Sequence, residues 1–448
     1  MQTATVPIGP FNAMRPKRSW FNSTGVLAAL ISLPLACTQA APRHVYLTWQ
    51  GDTSRTITVN YQTMEAGAES TVHFDTRSRG GRPGAYRQKV SGSSHQIADL
   101  PDGRDIHWVE LTGLQPATTY YFIAGDARRG FSAERKFHTV PSGRQTLRFV
   151  VGGDMGVSAD VADLQRQAAR LSPLFGVVGG DIAYANDVLT NYTRWDAWLD
   201  HWETNMITPA GNTIPMVLAI GNHEVRGGMT RDPSTVRFFL QYFAQERERS
   251  YFSRSFGRNL ALYLLDSGHV AAHEGAQAAW LDAQLTAQSR VPHRMAVYHV
   301  PLYPSSRAYE GFGSAHGRTN WLPVFDKHRL TSAFEHHDHT FKRSKLLREN
   351  RPDPRGTLYL GDGCWGMSAR KVDATRRWYE AKAASLQHFW CVDVGLSRVE
   401  YRAFSKSGEV FDVYPPNAAG AKAAEKVFKA LTQPKPPDPA KSAKSDDD

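Results

Sequence analysis

The residues of this chain that could do chemistry gather at the ends of short apolar runs. Val177-Val178-Gly179-Gly180 stops at a glycine pair and presents Asp181 and, three residues later, Tyr184. Gly153-Asp154 follows Phe149-Val150-Val151, Gly221-Asn222-His223-Glu224 follows the run 216–220, and His299 follows Met295-Ala296-Val297-Tyr298. His337-Asp338-His339 closes the series after a weaker strand at 330–334. A carboxylate at the carboxyl end of an apolar strand sits where open α/β sheets place their ligands. Taken singly each residue is ordinary: an Asp is a turn former or helix cap, Asn222 a turn residue, His299 a half-buried strand end. Five strand ends that deliver oxygen and nitrogen ligands to one edge of a sheet make a metal site, large enough for two ions. Hard oxygens with imidazoles suit iron, zinc or manganese, and the lack of thiolates argues against copper or an iron–sulfur cluster. Two ions sharing a carboxylate suit phosphate ester hydrolysis, because they neutralise the phosphoryl charge and activate water.

The elements that must position these residues alternate between strand and helix from Thr146 onward. A strand at 148–152 leads to a helix near 158–171 with Val161, Leu164, Ala168 and Leu171 on one face. Strands at 174–179, 215–220, 260–265 and 294–299 follow, with a helix at 275–288 before the last. Trp195, Trp198, Leu199 and Trp202 recur at helical spacing within 192–208 and read as core. Strands near 357–361, 387–394 and 398–404 complete a body spanning 146–414. An Ala/Lys-rich stretch at 417–432 predicts a helix, and 433–448 reads as a disordered tail.

Residues 42–141 read as an all-β module. Thr56-Ile57-Thr58-Val59-Asn60-Tyr61 alternates as a half-buried strand should. The run Leu114-Gln115-Pro116-Ala117-Thr118-Thr119-Tyr120 resembles the tyrosine corner of fibronectin type III sandwiches, which makes Tyr120 architecture rather than chemistry. Pro141-Ser142-Gly143 is the linker, and the module carries no cluster of candidate ligands.

A hydrophobic content of 41% with 11% aromatics excludes wholesale disorder in a chain of 448 residues. The net charge of +10 describes a mildly basic, solvated surface, and no basic run with interleaved aromatics argues for nucleic acid. Residues 1–40 predict a signal peptide: Arg15, Lys17 and Arg18 precede an apolar run at 26–36, and Thr38-Gln39-Ala40 supplies small residues for cleavage. Met14 makes a more ordinary signal start than Met1. Export to the periplasm or the medium is therefore expected, with no transmembrane segment in the mature chain; a lipid tether at Cys37 is the alternative. Of three cysteines, Cys364 and Cys391 remain beyond the leader, as one disulfide or as two buried thiols.

Gly153-Asp154-Met155-Gly156, Gly180-Asp181-Ile182-Ala183-Tyr184, Gly221-Asn222-His223-Glu224, Val297-Tyr298-His299 with Pro301-Leu302-Tyr303, and His337-Asp338-His339 resemble the five ordered blocks of the purple acid phosphatases. The resemblance spans about 42–405. It implies an α/β fold, a two-sheet βαβ metallophosphoesterase sandwich flanked by helices, preceded by an all-β fibronectin III-like sandwich. It implies hydrolysis of a small phosphorylated substrate, a phosphate monoester, at a binuclear centre of Fe(III) with Fe(II), Zn(II) or Mn(II). Asp154, Tyr184 and His339 would hold the ferric ion, Asn222, His299 and His337 its divalent partner, and Asp181 would bridge. His223 would hydrogen-bond the phosphate or leaving group, and Glu224 would orient it. Two departures stand out. The family's glycine before the paired histidines is His336 here, either packed or an added site residue. Where the family often has a histidine about ten residues beyond His299, this chain has Tyr309 and Glu310, so His316 and Arg318 in the Gly-rich loop 303–320 are candidates for proton donor and phosphate clamp. That loop is also where substrate selection is expected. The alternatives are a phosphodiesterase on the same site, or an envelope adhesion protein carrying a degenerate phosphatase scaffold.

Overall fold

Strands buried on both faces assemble the residues beyond 146 into two facing sheets. The computed structural model describes residues 41–64, 66–246, 249–361, 363–373 and 375–433. The leader with Cys37 and the tail beyond Gln433 lie outside them. One sheet runs in the order Met216–Ala219, Phe175–Gly179, Leu147–Gly152, His388–Val394, Val399–Ser405, Val410–Tyr414. Its first three strands are parallel and the rest antiparallel. The second runs Phe252–Phe256, Leu260–Leu264, His293–Val297, Ser332–Phe334, Thr357–Gly361, Phe341–Arg348, Arg351–Pro352, with Glu380–Ala384 also paired to Phe341–Arg348.

The near-continuous apolar runs in these strands have a simple cause: both faces are covered. Phe149, Val151, Val177 and Val217 point inward and meet Leu262, Met295, Val297 and Phe334 of the other sheet. The rings of Phe149 and Phe334 lie 6.1 Å apart, edge to face. Val150, Val178 and Leu218 point outward onto the helices Ala159–Arg170 and Tyr192–Asn205, where Trp195, Trp198 and Trp202 are buried. The tryptophan stripe is core. The second sheet's outer face is covered by Leu281 and Leu285 of the helix Ala276–Ala287 and by Trp321 and Phe325.

Residues 43–138 form two antiparallel sheets. Arg43–Thr48, Ile57–Thr63, Asp105–Leu111 and Ser93–His95 make one; Gln88–Ser91, Thr71–Asp75 and Thr119–Asp126, with Gly130–Phe131 and Arg135–His138, make the other. The Gln115 N–H donates to the Tyr120 hydroxyl at 2.9 Å, so Tyr120 locks the crossover as its spacing predicts. This sandwich shares a core with the body: Trp49 packs edge-on against Phe256 at 5.6 Å. Across the same seam the Thr48 hydroxyl donates to the Ala244 carbonyl at 2.7 Å, and the buried Arg104 pairs with both Asp102 and Asp196.

The predicted helix at 417–432 is Ala421–Thr432, seated by Val427, Phe428 and Leu431. Two expectations change. The 303–320 segment is not wholly a loop, because Phe312–Asn320 is a helix. The candidate ligands rise from two sheets that face each other rather than from one edge. Cys364 and Cys391 are both free and buried, which settles them as thiols. No helix among the described residues is long and apolar enough to cross a membrane.

Candidate metal centre

Left-handed backbone aims the side chains. Asp154, Asp181, Tyr184, His337 and His339 all stand at φ between 52° and 75°, a region that costs a non-glycine residue on the order of 1–3 kcal/mol. Such strain turns a side chain out of the strand direction and into the space between the sheet ends. Gly363 keeps that space open: at φ 87° it lies so close that a Cβ there would sit 1.8 Å from Asp154 Oδ2.

Two clusters result. In the first, Asp154 Oδ1 lies 2.9 Å from His339 Nε2 and 3.3 Å from the Tyr184 hydroxyl, which is itself 3.0 Å from that Nε2. In the second, His299 Nε2 lies 3.1 Å from Asp181 Oδ2, 3.1 Å from Asn222 Oδ1 and 3.0 Å from His337 Nδ1. Two ligands at right angles on one ion, with bonds of ~2.1 Å, would lie ~3 Å apart. Both clusters meet that spacing. The His299 Nδ1–H donates to the Gly179 carbonyl at 3.0 Å, leaving the Nε2 lone pair aimed into the cluster. The donor set fits a pair of ions.

Electrostatics point the same way. Burial alone would raise the carboxyls of Asp154 and Asp181, yet His299, with His339 beside Asp154, holds both below the usual carboxylate range. Burial opposes protonation of His299 too, but the Asp181 and Asp154 carboxylates outweigh it and raise the imidazole to about 9. His337 is pressed down to about 2 by burial and by His299. Burial, followed by the same two carboxylates, pushes the Tyr184 phenol far above its ordinary value. A cation among these groups reverses the conflict, since it favours phenolate, carboxylate and neutral imidazole together.

His223 stands over the cluster. Its backbone N–H donates to Asp181 Oδ1 at 2.8 Å, and its Nε2 is 3.7 Å from Asp181 Oδ2. Its ring lies 4.1 Å from that of Tyr184. Glu224 does not orient it. The Glu224 carboxylate accepts from the N–H groups of Asp181 at 2.7 Å, Ile182 at 2.8 Å and Gly221 at 2.9 Å, so it clamps two ligand-bearing turns together. The partner of His223 Nδ1 is Asn186 Oδ1, a contact that nothing in the spacing announced.

His336 is packed. Its ring fills the room left by Gly179, where a Cβ would lie 1.9 Å from its Cε1, and its Nδ1–H donates to the Tyr298 carbonyl at 2.8 Å. His316 sits outside both clusters, on the helix Phe312–Asn320, and lines an adjoining cavity with Asn222 and His337. Arg318 cannot be the clamp: it lies over the Tyr309 ring at 3.6 Å, donates to the Leu302 carbonyl and pairs with Glu310. Arg307, unmarked by any motif, lines the cavity instead. Asp338 holds it there, accepting from the backbone N–H groups of Ser305, Ser306 and Arg307 and facing the Arg307 Nε at 3.3 Å.

The chain is similar to known phosphatases in sequence and in fold. The family described as purple acid phosphatase, N-terminal domain, matches residues 42–139, and that described as calcineurin-like phosphoesterase matches 147–341. Purple acid phosphatase 21 of Arabidopsis thaliana is 26% identical over 333 residues, covering 72% of this chain and 71% of that relative. Purple acid phosphatase 22 of the same plant is 25% identical over 334 residues, covering 72% of each. The fold is similar to that of a purple acid phosphatase from yellow lupin seeds, with a TM-score of 0.71 at 20% identity over 84% of this chain and 74% of that one.

Proposed function

We propose, from the premise that this chain belongs to the purple acid phosphatase family, that it hydrolyses phosphate monoesters at a binuclear centre held by the two side-chain clusters. The observation that carries the reading is the ~3 Å spacing of donor atoms within each cluster. In it Asp154, Tyr184 and His339 would hold Fe(III), Asn222, His299 and His337 would hold a divalent ion (iron, zinc or manganese), and Asp181 would be shared between them. Such a pair supplies charge neutralisation at the phosphoryl group and a nucleophilic oxygen near neutral pH. This chain's own residues do the rest. His223, one third exposed above Asp181, hydrogen-bonds the phosphate or passes a proton to the leaving oxygen. Asn186 holds its ring. Arg307, anchored on Asp338, takes the phosphate-orienting role for which Arg318 was a candidate.

In the same reading the 42–141 sandwich is a buttress and 146–414 the catalytic unit. The pattern of residues 15–40 supports export to the periplasm or medium, which the mature amino terminus read by mass spectrometry would establish. No observation favours the adhesion alternative.

The test is phosphate release from an aryl monoester by the purified full chain, with the metal content and visible spectrum recorded alongside. The expected result is chelator-sensitive hydrolysis, slower turnover of the corresponding diester, and a visible tyrosinate-to-iron band. A protein holding two ions per chain that releases no phosphate would overturn the reading. A colourless active enzyme holding only zinc or manganese would replace the iron assignment and leave the activity standing.

A further inference from the structure

A phosphate and two ions do not fill the space beside this centre. A cavity of about 630 Å³ opens from Asn222 and His337, within the size range of small-molecule sites. Its wall is apolar where solvent would ordinarily dictate otherwise. Four large apolar side chains stand exposed among the described residues, and two of them, Met229 and Phe312, line this cavity at 51% and 66% exposure. Chance scatter of surface apolar residues does not place half of them at the mouth of one site. Val300 adds to the same wall, and the His316 ring lies 4.1 Å from that of Phe312, steadying it.

A second observation points to a ligand. His269 and His273 also line the cavity, each nearly fully buried, and the Nε2 atom of each lacks a hydrogen-bond partner. The Nδ1–H of His269 donates to the Gly228 carbonyl at 3.1 Å, which leaves its Nε2 a buried acceptor with no partner from the protein. Bulky apolar contact combined with sparse, fixed polar points describes a pocket for an organic group rather than for a bare anion.

We propose that this cavity is the leaving-group subsite, and that the preferred substrates are phosphate monoesters of bulky aromatic alcohols. The ring lies against Phe312 and Met229, and a polar substituent on it is received by His269 and His273. The inference rests on the phosphatase reading for its chemistry, but its geometry stands on the cavity alone.

The test separates the two. With the metal-loaded full chain, kcat/KM is compared for 3-phenylpropyl phosphate and propyl phosphate, whose leaving alcohols have similar intrinsic reactivity. Binding of 3-phenylpropylphosphonate and propylphosphonate is compared by calorimetry, which needs no turnover. The phenyl compounds should be favoured about tenfold in both assays. Phe312→Ala with Met229→Ala, both exposed and therefore safe for folding, should bring the ratios to within about twofold, chiefly through loss with the phenyl compounds. Ratios near one in the parent, or ratios the variants do not move, would overturn the subsite. If neither ester is hydrolysed but the phosphonate preference and its loss in the variants persist, the subsite stands and the phosphatase reading falls.

Discussion

Two tyrosines mark how differently the amino-terminal sandwich and the metal centre use the same side chain. Tyr120 takes the Gln115 N–H on its hydroxyl, and the arrangement is complete without any other molecule. Tyr184 has its hydroxyl between Asp154 and His339, on a left-handed backbone, in surroundings that oppose its ionisation unless a cation joins them. The seam between sandwich and body repeats the self-sufficient pattern, with Arg104 buried between Asp102 and Asp196. Structural polar groups close their own networks; the site leaves donor atoms converging on space. Residue type carries none of that distinction, and surroundings carry all of it.

The largest effect should come from removing a converging donor. Around metal sites the outer residues alone are worth about 10- to 100-fold. Asp181→Asn should therefore cost about 10³-fold or more in kcat/KM while the chain stays folded. Equal loss of activity and stability would erase the contrast between site and scaffold. Arg104→Ala should do the reverse. It leaves Asp102 and Asp196 without their cation, at a cost of about 3–5 kcal/mol in chemical denaturation. Specific activity of the remaining folded protein should not change.

The ligand clusters were legible because each donor follows a strand and a turn that local sequence specifies. Asp154, Asp181, Asn222, His299 and His337–His339 could be read from apolar runs ending in Gly-Asp, Gly-Asn-His and His-Asp-His, and so could the Tyr120 corner. What escaped depends on contacts between segments far apart in the chain. Arg307 gains its place from Asp338, 31 residues on, and Asn186 meets His223 from 37 residues away. The role of Glu224 could not be read from its neighbour His223, since its partners are the backbone amides of another strand end. The two-sheet sandwich was expected from the resemblance, but which strand joins which sheet was not legible, because a strand buried on both sides has one apolar pattern in either.

A third, smaller difference between the regions should appear on acidification. His107 lies within the sandwich, 2.9 Å from the Thr63 hydroxyl and 2.8 Å from that of Ser70, stacked on Tyr61 at 4.4 Å. Burial lowers its pKa to about 4. The unfolded chain, at about 6.5, takes up the proton first, so the stability this neutral imidazole allows is complete above pH 6.5. It is lost progressively as pH falls from 6.5 to 4, by up to about 3 kcal/mol. Denaturant midpoints measured across that window should fall more steeply for the parent than for His107→Gln; parallel curves would remove His107 as the acid-sensitive point.

The smallest effect tests the tyrosine comparison itself. Tyr120→Phe removes the acceptor of one backbone N–H, and a neutral hydrogen bond of this kind contributes about 1 kcal/mol. The ring remains packed 5.7 Å from Phe137, stacked, so little else is lost. Unfolding should shift by about that amount, with colour, metal content and turnover intact. Tyr184→Phe should show the complementary result. In the metal-free protein its stability should change little, because the hydroxyl's bond to the Asp154 carboxylate is long, at 3.3 Å. In the loaded protein the visible band should vanish while Asp154 and His339 keep much of the metal. A Tyr184→Phe protein that retains the band would return Tyr184 to the class of Tyr120, as packing with a polar tip. A Tyr120→Phe protein that loses turnover without losing stability would place the sandwich in the chemistry of the site.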